Sequence, residues 1–326
     1  MTKLTMVGAL NAALRDAMAQ DPGVVVLGED VGPLGGVFRV TDGLSAEFGD
    51  ARCFDTPLAE SGIVGMAIGM AMNGLRPVVE MQFDAFAYPA FEQVVSHLAK
   101  MGNRTHGQVR LPVVVRVPYG GGIGGVEHHC DSSEAYYAHT PGLTVVTPAT
   151  NEDAYGLLRA AIASPDPVIF FEPKRQYFTK EEVDVTAAVP PIGRAVVRRE
   201  GTDATLVAYG PAVPVALAAA EQAEREGRSL AVVDLRSIVP FDDETVCAAV
   251  RATGRAVVVA EASGFASVAS EIVARVTEQC FHHLAAPVRR VTGFDIPFPP
   301  PKLERHHLPS VNRVLDTVDE LQWDAA

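Results

Sequence analysis

Basic residues are in deficit in this chain of 326 amino acids: 27 Lys and Arg stand against 40 Asp and Glu, a formal net charge of −13. Phosphate neutralisation needs a basic surface, so nucleic acid is not an expected partner. Long apolar runs are missing as well. No stretch reaches the roughly 18 residues that a membrane span requires, and the opening Met1-Thr2-Lys3-Leu4-Thr5-Met6 is too polar for a secretory signal. Cytoplasmic residence is the expectation. Only four cysteines occur, Cys53, Cys130, Cys247 and Cys280, and no two form a Cys-x-x-Cys pair. Neither a disulfide framework nor a zinc knuckle is indicated, and reduced thiols are expected. A Gly-x-Ser-x-Gly elbow and a Walker phosphate loop are both absent, which removes the simplest serine-hydrolase and nucleotide-triphosphatase readings.

What is present is a chain that is 48% hydrophobic and long enough for two cores. The helical spacing of Met6, Leu10, Ala13, Leu14 and Met18 is followed by a break at Asp21-Pro22-Gly23 and the β-branched run Val24–Gly28. The alternation continues with a helix after Glu60, a strand at 77–83, a helix at 89–101, a strand at 111–117, a short strand at 143–147, a helix at 153–163 and a strand at 168–171. Short β-branched runs between helices predict a parallel sheet covered on both faces. Between residues 173 and 193 the periodicity fails, and charged residues and prolines collect in a linker composition. Strand and helix patterns then resume at 205–210, 230–235 and 256–260. Two α/β parallel-sheet domains are therefore expected: residues 1–180, a linker at 181–195, and a second domain over 196–326.

The segment Asp55-Thr56-Pro57-Leu58-Ala59-Glu60-Ser61-Gly62 sets an acid at the mouth of an uncharged helix that runs through Ile63, Val64, Gly65, Met66 and Ala67 to Met72. With no charge to solvate any side, that helix is expected to be buried nearly all round. Burial raises a carboxyl pKa, whereas a helix N-terminus favours the anion. Under these opposed pressures Glu60 is suited to sharing a proton with a ligand; capping of the helix is its other possible role. The run Gly120-Gly121-Gly122-Ile123-Gly124-Gly125 matches Gly-x-Gly-x-x-Gly literally, a pattern that can cradle the pyrophosphate of NAD. It leads into Val126-Glu127-His128-His129-Cys130-Asp131 and not into an apolar helix, so a loop that admits close backbone approach to a ligand, or a flexible lid, is the better reading. A histidine there, His129, can act as acid, base or donor near neutral pH. Adjacent histidines do not easily converge on one ion, so no zinc site is expected. His282-His283 and His306-His307 read as partly exposed surface.

Taken in order, Leu27-Gly28-Glu29-Asp30-Val31, Gly35-Gly36-Val37-Phe38-Arg39, Asp55 to Glu60, Glu80-Met81-Gln82-Phe83, Pro89-Ala90-Phe91-Glu92-Gln93, Phe170-Phe171-Glu172-Pro173-Lys174 and Val291-Thr292-Gly293-Phe294-Asp295 resemble the beta subunit of the thiamine-diphosphate-dependent decarboxylating first component of 2-oxoacid dehydrogenase complexes, the branched-chain type most closely. The resemblance covers nearly the whole chain and implies a transketolase-like pyrimidine domain followed by a transketolase C-terminal-like domain. It implies that Glu60 hydrogen-bonds the aminopyrimidine of thiamine diphosphate and favours its imino form. Phe86 and Leu58 are implied beside that ring, Glu29 in a buried proton-sharing network near it, and His129 close to the reacting carbon. The commonest His-Ser-Gln pattern is replaced here by His129-Cys130-Asp131. Main-chain carbonyls of Leu111, Val113, Val114, Ala161, Ser164 and Asp166 fall where relatives hold potassium.

Such enzymes grip magnesium and the cofactor's pyrophosphate with Gly-Asp-Gly followed by Asn, and this chain has no Gly-Asp-Gly. The resemblance thus implies an alpha subunit that supplies that half of the site in an alpha2beta2 heterotetramer, with acyl transfer to a lipoyl domain of an acyltransferase core. The implied substrate is a branched-chain 2-oxoacid such as 3-methyl-2-oxobutanoate, with pyruvate or acetoin dehydrogenase beta subunits as alternatives. An NAD-binding oxidoreductase and a non-catalytic assembly subunit are the rivals from other classes.

Overall fold

The computed structural model describes residues 1–321. Residues 322–326, which the sequence reading assigns to the second domain, lie outside the described residues.

Seven strands form the first sheet, in the spatial order Ser237–Val239, Thr144–Val146, Val168–Pro173, Val114–Tyr119, Arg76–Glu80, Val24–Gly28 and Cys53–Asp55. Every pairing is parallel except that of Ser237–Val239 with its neighbour. A parallel sheet buried on both faces needs apolar residues at every position, which is why Val24–Gly28 and Val168–Pro173 are buried throughout. The period of two still divides the work. Val24, Val26, Val78 and Val114 face a core built with the helices Met6–Gln20 and Asn151–Ala163. Val25, Leu27, Val79 and Val115 face a core that includes Ile63, Val64 and Ala67 of the helix Glu60–Met72. Thr5 and Thr150 start the two former helices by accepting hydrogen bonds from the amides of Gly8 and Asp153.

A second sheet runs Arg289–Gly293, Ala256–Ser263, Ala204–Ala208, Leu230–Asp234 and Val196–Arg199, the last antiparallel. The two sheets are not independent. Just after Leu230–Asp234 the chain crosses over and Ser237–Val239 completes the edge of the first sheet, and one apolar cluster extends without interruption from Val25 and Val115 to Val233 and Val258.

Two expectations are corrected. The helix Glu60–Met72 is not buried all round: Gly62, Met66, Gly69 and Met72 lie on an exposed side, with Met72 56% accessible. Absence of charge specifies an apolar environment without specifying that the same chain provides it. The helix expected at 89–101 is irregular, a 3-10 segment Ala85–Ala90 followed by π-type turns Gln93–Leu98; Pro89 lacks the amide a regular turn would use. Part of the charged segment after Pro173 is ordered, since Lys180–Val183 pairs antiparallel with Thr2–Thr5.

At the centre of the first sheet Arg116 is wholly buried. Its Nη1 donates to Glu80 at 2.5 Å, and its Nε and Nη2 donate to Glu172 at 2.6 and 2.9 Å. The Tyr177 hydroxyl also donates to Glu172, at 2.7 Å. Burial pushes the Glu80 carboxyl up and the guanidinium opposes that push. Removing the cation strands two buried acids, so Arg116→Met should lower the unfolding free energy by about 3–5 kcal/mol. Chemical denaturation checks this, and a loss below about 1 kcal/mol, the range of an exposed pair, would contradict it.

Candidate active site

The first sheet concentrates its polar side chains beyond the carboxyl ends of its parallel strands. Glu29 follows Val24–Gly28, Glu60 follows Cys53–Asp55, Phe83, Asp84 and Phe86 follow Arg76–Glu80, the glycine loop and His129 follow Val114–Tyr119, and Lys174 follows Val168–Pro173. From Val24–Gly28 the chain moves outward to the edge strand Cys53–Asp55, then returns to Arg76–Glu80 on the other side. That reversal opens a crevice at the strand ends, the general location of ligands in sheets of this kind.

Two carboxyls meet there. Glu29 and Glu60 are 8% and 9% exposed. Burial holds the Glu29 pKa above the usual carboxylate range, and the charges of Glu60 and Asp30 add to the effect. Oε1 of Glu29 is buried without a hydrogen-bond partner. Glu60 opens its helix after the N-cap Ala59, which has no capping side chain, and among the described residues no amide of the first turn bonds to Glu60. The capping role therefore has no support in the geometry, and both acids have capacity left for a ligand.

An aromatic wall stands on the second side. The His129 ring lies 4.5 Å from Phe83 and 5.4 Å from Phe86, Phe83 and Phe86 are 5.4 Å apart, and Phe38 is 5.4 Å from Phe83, all edge-on. The turn Ala85–Ala90 that carries Phe86 packs against the helix that Glu60 begins. Leu58 sits in the segment leading to Glu60 and is 78% exposed. Glu29 and Glu60 are thus brought together, as are Phe86 and His129. Phe38 and Phe83 complete the wall, although their positions beside apolar runs gave no signal beyond that of core residues.

The glycine loop does not have the geometry of a nucleotide cradle. The amide of Gly121 donates to the buried Glu261 of the second sheet and that of Gly122 donates to Glu304. Amides already facing carboxylates repel a pyrophosphate, and the helix that follows, Glu127–Cys130, is a single turn, too short to offer an anion site at its start. The NAD reading fails on both counts. Gly122 has φ +97°, and a Cβ on it would stand 2.7 Å from Cβ of Arg175, so glycine is required for this loop to close on Arg175. The base of the loop is fixed from below: both oxygens of Asp84, which is fully buried, accept from Ser133, from its amide at 3.0 Å and its hydroxyl at 2.5 Å. Burial pushes Asp84 up to about 8 and Glu134, which accepts from the Tyr209 hydroxyl at 2.8 Å, up to about 7. Cys130, beside His129, is pushed up to about 11 by burial and is poorly suited to nucleophilic work.

Two further sequence readings are placed by the structure. His307 is buried and edge-on to Phe298, not on the surface as expected, because the short helix Pro301–His307 turns it inward; His282, His283 and His306 are exposed. The carbonyl set Leu111, Val113, Val114, Ala161, Ser164 and Asp166 lies at the amino ends of Val114–Tyr119 and Val168–Pro173, the opposite edge of the sheet from Glu60. The two segments are neighbours, with Val168 donating to the Val113 carbonyl at 2.9 Å and Arg110 to Asp166 at 2.9 Å. Arg76 donates to the Ile162 and Ser164 carbonyls at 2.9 and 3.1 Å. Among the described residues no group of three or more His, Cys, Asp or Glu could hold a metal ion, and no helix is long and apolar enough to cross a membrane.

Comparisons with known proteins place the chain in a family. Residues 2–180 match the family described as Transketolase, pyrimidine binding domain, and residues 193–314 match Transketolase, C-terminal domain. The chain is 58% identical over 316 residues, covering 97% of it and 94% of the relative, to the pyruvate dehydrogenase E1 component subunit beta of Leifsonia xyli subsp. xyli. It is 54% identical over 319 residues, 98% of it and 92% of the relative, to the 3-methyl-2-oxobutanoate dehydrogenase subunit beta of Mycobacterium tuberculosis. A solved structure described as a split gene transketolase, inactive beta4 tetramer, superposes with a TM-score of 0.80 at 26% identity, covering 98% of each chain.

The raised pKa of Glu29 has a signed consequence for stability. As pH rises, the unfolded chain loses this proton first, near the ordinary value of about 4.3, so the ionising carboxyl draws stability away until the folded pKa is passed. Glu29→Gln should therefore melt higher than the parent above that range and equal to it at lower pH. Melting temperatures measured across pH test the sign; a lower melting point at neutral pH would reverse it.

Proposed function

The chain belongs to the transketolase-like beta subunits of the thiamine-diphosphate-dependent first component of 2-oxoacid dehydrogenases, and from that premise we propose that Glu60, Glu29, Phe86 and His129 form its half of a decarboxylating site. The observation that carries this reading is the buried pair Glu29 and Glu60, with Oε1 of Glu29 unpartnered, at the sheet's reversal point next to the aromatic wall. Such a pair fits a flat heteroaromatic ring with nitrogen donors and acceptors, as the aminopyrimidine of thiamine diphosphate is. When bound, that cofactor supplies an electron sink for loss of carbon dioxide from a 2-oxoacid.

In this reading Glu60 would hold the ring nitrogen through a shared proton, with Glu29, whose carboxyl burial and the neighbouring charges hold above the usual range, beside it. Phe86 and Leu58 bound the ring, Leu58 becoming covered in the assembled site. His129, held between Phe83 and Phe86, faces the substrate side and assists transfer to the lipoyl acceptor. The chain lacks Gly-Asp-Gly, so magnesium and the pyrophosphate are held by an alpha subunit in an alpha2beta2 assembly, which passes its acyl product to a lipoyl acyltransferase core. Residues 1–180 form the pyrimidine-binding unit, 181–195 the linker and 196 onward the C-terminal unit, and the cytoplasm is the proposed location. Potassium is proposed at the carbonyls of Leu111, Val113, Val114, Ala161, Ser164 and Asp166; hard oxygen donors suit it, with Arg76 as a competing cation at Ser164.

A branched-chain 2-oxoacid is the proposed substrate, on the sequence similarity of the Phe38 and Phe171 segments and on the apolar surface offered by Phe38, Phe83 and Phe86. Pyruvate is the second reading, favoured by the 58% identity to a pyruvate dehydrogenase subunit. Turnover of 3-methyl-2-oxobutanoate against pyruvate in the reconstituted enzyme decides between them. Glu60→Gln should lower kcat there by about 10²-fold or more with assembly intact, and an unimpaired Glu60→Gln enzyme would refute the assignment. His129→Ala should impair turnover with the lipoyl acceptor, whereas unchanged turnover would leave His129 a purely structural residue.

A further inference from the structure

Lys174 has no part in the reading so far, yet its position is unusual. It opens the turn Lys174–Gln176 directly after Val168–Pro173, is 2% exposed, and its Nζ has no hydrogen-bond partner. An unpaired buried ammonium is costly, so something must compensate it. Three segments from outside its own strand place titratable groups within electrostatic reach of it: Asp84 from the turn before Ala85–Ala90, Cys130 and Asp131 from the end of the loop that carries His129, and Glu261 from the second sheet. Arg175 and Glu304 stand at the margin, Nη2 of Arg175 being 3.4 Å from Glu261 and Glu304 accepting from the Gly122 amide.

Each of these acids already holds part of the loop. Asp84 accepts from Ser133, Glu261 from Gly121 and Glu304 from Gly122. Asp131 accepts from the Tyr88 hydroxyl at 3.1 Å with its side chain and from the Gly120 amide at 2.8 Å with its carbonyl. The acids would repel one another around an empty centre, and Lys174 is the cation they surround. No acid bonds to it directly, and internal water is the usual link where buried polar groups face one another without touching.

We propose that Lys174 is a positioning residue for residues 120–133: its buried ammonium, bridged by internal water to Asp84, Asp131 and Glu261, fixes His129 against Phe83 and Phe86. The functional part of this inference rests on the reading that His129 takes part in turnover. Burial lowers Lys174 to about 8. Burial holds Asp84 up to about 8, a push that the two bonds from Ser133 and the charge of Lys174 oppose; burial also raises Asp131 and Cys130. Above about pH 8 the ammonium loses its proton while Asp84 gains its charge, so the acids repel one another without a common counter-charge and the loop loosens.

The test is hydrogen–deuterium exchange of the 120–133 segment in the enzyme assembled with its alpha partner and thiamine diphosphate, at pH 7 and pH 9 and corrected for intrinsic exchange. Protection in the parent should fall on going to pH 9, and protection that is equal at both values overturns the proposal without any variant. Lys174→Met should show low protection at both pH values and a kcat lowered by about tenfold to a hundredfold with cofactor affinity unchanged; parental protection in this variant overturns the proposal. Lys174→Arg, which keeps its charge at pH 9, should retain protection there; loss as in the parent would show that another group titrates. Exchange reports on the loop whether or not His129 is catalytic, so an active His129→Ala enzyme would remove the functional reading and leave the positioning result standing.

Discussion

A single guanidinium ties together the three central strands of the first sheet. Arg116, in the middle of its strand, links Glu80 on one neighbouring strand to Glu172 on the other, with Tyr177 completing the set, and the two acids lie at or near the ends where their strands give way to loops. Apolar packing alone would leave those ends free to splay, because β-branched side chains fix the distance between layers but not the angle at which each loop departs. The ionic bridge sets the common origin from which the Phe83 and Phe86 turn, the glycine loop and the Lys174 turn are launched. Gly36 also depends on it: with φ +80°, a Cβ there would stand 2.8 Å from Oε1 of Glu80, so the loop after Glu29 lies close over the same carboxylate.

From that origin the crevice is assembled from two sheets and not from one. The first sheet contributes acids and aromatics, whereas the second contributes Glu261 and the helix Pro301–His307 contributes Glu304, and these two take successive amides of the glycine loop. Cys130 adds an apolar contact by clustering with Phe298 and Leu308. The second domain therefore acts on the chemistry at one remove, by fixing the segment that presents His129. Continuity of the apolar core between the sheets makes this a rigid support.

Much of this was legible in the sequence, and the reasons for success and failure are physical. The unbroken runs Val24–Gly28 and Val168–Pro173 announced a doubly covered parallel sheet because such a sheet offers no polar face. Glu60 stood out because it is the one acid before a long uncharged helix. Lys174 escaped notice because, in sequence, a buried lysine among Arg175, Lys180 and Glu181 looks the same as a solvated one; only the fold distinguishes them. His307 was misplaced for a similar reason, its burial depending on a short helix after a run of prolines. Phe83 was hidden by ambiguity between core and site, since an aromatic at a strand end serves either. The edge strands Cys53–Asp55 and Ser237–Val239 are too short to show a period at all.

The outward side of the Glu60 helix, with Gly62, Met66, Gly69 and Met72 uncovered, sits on the same rod as the acid at its mouth. A chain lying along that apolar ridge would cover the helix that Glu60 begins, whose carboxyl is already only 9% exposed. Covering the ridge and shielding that carboxyl are thereby separate events: the fold of one chain already buries the acid, and only the ridge remains to be covered.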